Sequence, residues 1–109
     1  MKEFIVVLVT AGTSAEGERL ARALVEEGLA ACVSRVRGVQ SVYRWEGKIE
    51  QSDEEMLMIK TCKELFTSLE QRVRELHSYE VPEIIALPLI EGNAAYLRWL
   101  EDQVSGAAS

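Results

Sequence analysis

A chain of 109 residues, 48% hydrophobic and 28% charged, has room for one globular domain with an ordinary core. Twelve basic against eighteen acidic residues leave a net charge of −6, which opposes contact with nucleic-acid phosphate or anionic lipid and sets nucleic-acid binding aside. The opening apolar run is about six residues long against the roughly 18 of a membrane span, and no signal-peptide pattern surrounds it, so neither membrane insertion nor export is expected.

Phe4 to Thr10 is an unbroken, Val-rich run, the pattern of a strand covered on both faces. Ala11-Gly12 breaks it, and Thr13-Ser14-Ala15-Glu16 has capping-box spacing, in which Thr13 accepts from the Glu16 amide while Glu16 reaches back. A helix follows with Gly17, Leu20, Ala21 and Leu24 on one stripe, and Gly28 ends it at a position suited to the left-handed conformation. Ala30 to Val36 reads as a second strand, Gly38 as a turn or bulge, and Val39 to Trp45 as a third strand. Glu46-Gly47 turns the chain, Lys48 to Gln51 pairs back, and Glu55 to Thr61 is the next strand. In that strand Leu57, Ile59 and Thr61 share one face, and Met56, Met58 and Lys60 the other.

Thr61-Cys62-Lys63-Glu64 repeats the capping-box spacing, and Leu65, Leu69, Val73 and Leu76 mark a second amphipathic helix. Ser78 to Pro82 is a loop, and Glu83 to Leu89 a last strand that Pro88 places at an edge. Asn93 caps a short final helix with Tyr96, Leu97 and Leu100 inward. The reading is α+β, a ferredoxin-like βαββαβ sandwich with an antiparallel sheet, an extended β-hairpin and a short C-terminal helix. Residues 1–104 form the single domain and 105–109 a tail.

Two helices cover one face of such a sheet, and nothing in the chain obviously covers the other, although its strands are apolar on both sides. That face carries Phe4, Val6 and Leu8 or their alternates, with Met56 and Met58. Either the methionines fill a core or the face is buried by self-association, and the second reading is favoured because the pattern persists over several strands. The hairpin poses the same question. Tyr43 and Trp45 alternate onto one side, about 7 Å apart, as a plate that a core, a ligand or another subunit must cover.

Chemistry is sparse. No Gly-rich phosphate loop, G-x-S-x-G elbow, C-x-x-C or H-E-x-x-H spacing occurs. His77 is the single histidine, placed to end a helix or to bind a metal. Lys60 shares a face with Met58 and needs a carboxylate partner, such as Glu83, Glu80 or Glu46, or an anionic ligand. Lys60, His77 and Glu83 would be the acid–base cluster of an enzyme, but no catalytic motif supports one. Cys32 and Cys62 have no framework spacing and are read as free thiols in a reducing cytoplasm, the expected location.

The segments Glu27-Gly28-Leu29-Ala30-Ala31-Cys32-Val33, Ser41-Val42-Tyr43-Arg44-Trp45-Glu46-Gly47-Lys48, Ile59-Lys60-Thr61, His77-Ser78-Tyr79-Glu80-Val81-Pro82-Glu83-Ile84 and Tyr96-Leu97-Arg98-Trp99-Leu100 follow in this order. Together they resemble the CutA divalent-cation tolerance family over about residues 4–101. The resemblance implies a non-enzymatic, cytoplasmic homotrimer whose sheets pack centrally, similar in form to the PII signalling proteins. It implies binding of a divalent metal such as copper, with no cofactor required, or of a small ligand in inter-subunit clefts. The alternative it carries is a small-molecule-sensing or protein-interaction scaffold with an unidentified protein partner. By position, Cys32 and His77 are the implied metal residues, and Tyr43, Trp45, Lys60, Tyr79, Glu83 and Trp99 the implied cleft residues. The chain departs from the pattern at Ala11-Gly12, where many relatives carry Cys or Pro, and at Ser34, where Asn is common. The missing thiol leaves Cys32 as the implied thiolate donor of each subunit.

Overall fold

The computed structural model describes residues 2–108, the side chains of 105–108 apart, so the tail expected over 105–109 lies outside the fully described span. In chain order the elements are β1 (Phe4–Ala11), α1 (Ser14–Glu26), β2 (Cys32–Trp45), β3 (Lys48–Cys62), a 3-10 turn (Lys63–Leu65), α2 (Phe66–Leu76), β4 (Ile84–Pro88) and α3 (Ala94–Ala108). The sheet order is β2-β3-β1-β4 with every neighbour antiparallel, the ferredoxin-like arrangement. Pro88 sits on the edge strand, where its missing N–H costs no ladder bond. No helix among the described residues is long and apolar enough to cross a membrane.

Helix α1 begins as its sequence dictates. Thr13 Oγ1 accepts from the Glu16 N–H at 3.1 Å. It ends on Gly28 at φ 73, with Gly28 N–H donating to Val25 O and Leu29 N–H to Leu24 O, a Schellman pair. The second expected capping box does not form. Thr61 alternates with Leu57 and Ile59 onto the buried face, and its hydroxyl donates to the Leu29 carbonyl at 2.8 Å. α2 is therefore entered through the 3-10 turn without a side-chain cap.

Ile5, Val7 and Val9 of β1 and Leu57 and Ile59 of β3 meet Leu20 and Leu24 of α1 and Leu69 and Val73 of α2 in the main core. Strand alternation sends the other residues to the opposite face, where register groups Leu8 with Met58 and Ile85, Val6 with Leu87, and Met56 with Val36. The chain covers one end of this face after all. Leu100 and Val104 of α3 pack with Phe4, Cys62, Leu65 and Ala31. α3 runs 15 residues rather than being short, and its buried stripe falls on Leu100 and Val104, leaving Tyr96 exposed instead of inward. Beyond α3 the face stays bare: Val36, Met58, Ile85 and Leu87 are exposed.

The four strand segments expected between 30 and 61 are two long strands. Their pairing resumes past Gly38, where Arg37 and Gly38 together oppose Glu55 in a bulge between the Val36–Met56 and Val39–Glu54 pairs. Gly38 takes φ 75, which L side chains resist. The extra residue changes which side chains face which way. Before the bulge Cys32, Ser34 and Val36 share the outer face with Met58, and after it Val39, Ser41, Tyr43 and Trp45 do. β1 stops opposite Glu55, so residues 39–54 continue as a two-stranded arm. Glu46 and Gly47, at φ 50 and 80, close the arm in the two-residue turn that suits strand twist.

Glu55 is buried and paired with Arg35, whose Nε lies 2.6 Å from Oε1 and whose second nitrogen also reaches the Ser14 carbonyl and hydroxyl. Gly17 packs against that carboxylate so closely that a Cβ would collide with Oε1. Gly17→Ala is expected to destabilise the protein by about 1–3 kcal/mol, as overpacking does, although alanine favours helix by about 1 kcal/mol. Denaturant midpoints of the two proteins check the sign.

Candidate functional site

Four of the eight implied site residues come together. Tyr43 and Trp45 on the outer face of the arm, and Tyr79 and Glu83 in the loop before β4, line a groove of about 540 Å³. Thr10, Ser41, Val42, Glu54, Glu80 and Val81 complete the lining. Tyr43 and Trp45 are each nearly half exposed, so the plate belongs to a groove wall and not to the core. The Tyr43 hydroxyl is 2.8 Å from Ser52 Oγ, which braces the wall along the arm.

The opposite wall is held by buried polar contacts. Glu16, at the start of α1, accepts from the Gly12 N–H through Oε1 at 3.2 Å and from the Ser78 N–H through Oε2 at 2.7 Å. The expected reach-back is thus real but lands on Gly12. Burial alone would raise the Glu16 pKa; hydrogen bonds from the side chain and backbone of Ser78 and from Gly12 outweigh it and hold the carboxyl below its ordinary value. Tyr79 donates to Glu54 Oε2 at 2.7 Å, and Gly12 leaves space for its hydroxyl, which a Cβ would meet at 3.0 Å. Burial and Glu54 push the Tyr79 phenol well above its usual range, keeping it a donor.

His77 lies beneath this loop, buried. Nε2–H donates to the Thr10 carbonyl at 2.7 Å, and Nδ1 accepts from the Tyr79 N–H at 3.0 Å. Those partners assign the tautomer and occupy both ring nitrogens, so a metal at His77 would have to displace one of these bonds. The ring also packs against Tyr79, 4.7 Å between centroids.

Cys32, Lys60 and Trp99 lie elsewhere. Cys32 and Lys60 are cross-strand partners. Lys60 Nζ donates to Ser34 Oγ at 2.5 Å and approaches Cys32 Sγ at 3.8 Å, taking none of the carboxylates Glu46, Glu80 or Glu83 that the sequence offered it. Burial and the Cys32 thiol raise the Tyr96 phenol, and Tyr96 packs against Trp99 with 5.5 Å between centroids. Lys60 is four residues along β3 from Met56, the partner of Thr10, and hence about 13 Å from the His77 end. Lys60, His77 and Glu83 therefore form no acid–base cluster within a chain, nor do Cys32 and His77 adjoin. Among the described residues no three His, Cys, Asp or Glu side chains gather as metal ligands. Glu54 and Thr10 line the groove without being among the implied cleft residues; the Glu54–Tyr79 bond joins β3 to a loop 25 residues further on, which no local pattern announces.

A family model described as CutA1 divalent ion tolerance protein matches residues 5–103. The divalent-cation tolerance protein CutA of Thermus thermophilus is 48% identical over 97 residues, 89% of this chain and 94% of that one. The chloroplastic protein CutA 1 of Oryza sativa is 49% identical over 98 residues, but the chain spans only 55% of its length. Solved structures agree. The T. thermophilus protein superposes with a TM-score of 0.90 at 47% identity, covering 95% of this chain and 99% of that one. CutA1 from Oryza sativa gives 0.92 at 47% identity, with 94% of each covered.

Because Glu16 is held below its ordinary value of 4.5, its contribution to stability is present at neutral pH. It is lost as pH falls below that value and through the folded pKa, where the folded carboxylate too is protonated. Wild type is expected to lose more stability than Glu16→Gln over that acid range, so their denaturant midpoints converge. A constant gap down to the lowest pH would show that the carboxylate charge contributes nothing.

Proposed function

The chain belongs to the CutA1 divalent ion tolerance family, and from that premise we propose that it acts as a non-enzymatic, cytoplasmic homotrimer whose inter-subunit clefts bind a divalent metal or a small ligand. Tolerance of divalent cations is what the names of its relatives describe. The observation that carries the assembly is the bare sheet face. Val36, Met58, Ile85 and Leu87 are exposed beside half-buried Val6, Leu8 and Met56, a contiguous apolar surface that a soluble chain covers with a partner. The unpaired thiols Cys32 and Cys62 suit a reducing compartment, and burial pushes the Cys62 thiol up and makes it inert.

Metal binding depends on assembly in this reading. One chain offers no cluster of three donors among its described residues, so a divalent ion held by protein ligands draws them from neighbouring subunits, with Cys32 and His77 the residues the family pattern points to. The groove between Tyr43, Trp45, Tyr79 and Glu83 supports the second reading, a small-molecule sensor or interaction scaffold similar to the PII proteins.

Light scattering of the protein before and after copper loading, with bound metal counted, tests both parts. A mass three times the 12.2 kDa of one chain is expected. Leu87→Arg, on the exposed face, is expected to yield monomers and to lose metal uptake. A wild-type monomer that takes up no metal would sink both parts together.

A further inference from the structure

The groove has a distinct chemical signature. Its walls carry three aromatic rings, Tyr43, Trp45 and Tyr79, and three carboxylates, Glu54, Glu80 and Glu83, with no Lys, Arg or His among the lining residues. On the arm, Arg44 alternates to the opposite face from Tyr43 and Trp45, and Lys48, opposite Trp45, also lies outside the lining. Uncompensated acids select a cation, and aromatic faces attract one through their quadrupoles.

Size and donor arrangement decide which kind of cation. A bare divalent ion needs about six oxygens within roughly 2.6 Å, and the aromatic wall offers only two tyrosine hydroxyls, both already engaged, Tyr43 with Ser52 and Tyr79 with Glu54. The carboxylates do not cluster as ligands, and the Glu54 carboxylate already accepts from Tyr79. At about 540 Å³ the groove has the volume of a small-molecule site. Val42 and Val81 add apolar wall, and both are exposed, so burying them is favourable only for a ligand with an apolar body.

We propose that this groove binds an organic ammonium ion, a protonated amine with an apolar body, its charge toward the loop carboxylates and its body against the aromatic plate. The inference deepens the small-ligand reading above and rests on it, because the groove must stay open in the assembly. Glu80 and Glu83 supply the charge, and Trp45 and Tyr43 supply apolar contact; the divalent metal has no part in it. A cationic side chain of a second copy is the competing occupant.

Calorimetric titration of the intact protein near neutral pH with phenethylamine, and with phenethyl alcohol as its neutral counterpart, tests this. The amine is expected to bind saturably and at least about tenfold more tightly than the alcohol. Replacing Glu80 and Glu83 together by Gln, both exposed and remote from the core, is expected to remove that preference while leaving alcohol binding unchanged. Trp45→Ala is expected to weaken both ligands. Equal affinities, a preference surviving the double variant, or no saturable amine binding would overturn the proposal. Binding by the Leu87→Arg monomer but not by wild type would show that a second copy fills the groove, which also overturns it. A trimer without amine preference defeats this inference alone, whereas a monomer that prefers the amine defeats the assembly reading alone.

Discussion

The Glu16 carboxylate ties the Gly12 and Ser78 amides together, and the groove depends on that connection. Gly12 belongs to the turn leaving β1 and Ser78 to the loop entering β4, so one buried side chain fixes the relation of two segments 66 residues apart in the chain. A buried carboxylate is costly unless its lone pairs are satisfied, and these amides satisfy them. His77 completes the junction by bonding Thr10 O and the Tyr79 N–H at once. With the loop backbone held, the Tyr79 hydroxyl donates its hydrogen bond to Glu54, and one wall of the groove is set.

The other wall is set by register. A two-stranded arm is marginal in water, and this one continues past the last residue of β1. The bulge at Gly38 turns Tyr43 and Trp45 onto the face that Glu54 and the 79–83 loop share. Without the extra residue, strand alternation would carry both aromatics to the opposite side, and the groove would lose its plate. The same outer face continues into the bare apolar surface of Met58, Ile85 and Leu87, so groove and proposed assembly surface belong to one side of one sheet.

Local rules were enough for much of this. The Thr13 cap, the Gly28 terminus, the Glu46-Gly47 turn and the stripe of α2 depend on neighbours a few residues away, and each is where the sequence places it. The second capping box failed because burial claimed Thr61, a tertiary demand that spacing does not encode. The extent of the long strands was hidden by polar Ser52-Asp53-Glu54, which separated two expected strand segments although all three residues pair with β2. Of the residues the family segments named, Tyr43, Trp45, Tyr79 and Glu83 line one groove of the chain, while cross-strand pairing sets Lys60 beside Cys32, a placement that only long-range register decides. Glu16 looked like a capping residue alone, since nothing local announces a partner at Ser78.

Amide hydrogen exchange at Ser78 in the intact protein tests most directly whether Glu16 pins the loop. Ser78 N–H is expected to exchange far more slowly than the amides of exposed Glu80 and Val81, and to lose that protection in Glu16→Ala while Val7 and Ile59 in the sheet keep theirs. Ser78 exchanging as fast as Glu80 in wild type, or keeping its protection without Glu16, would contradict the account.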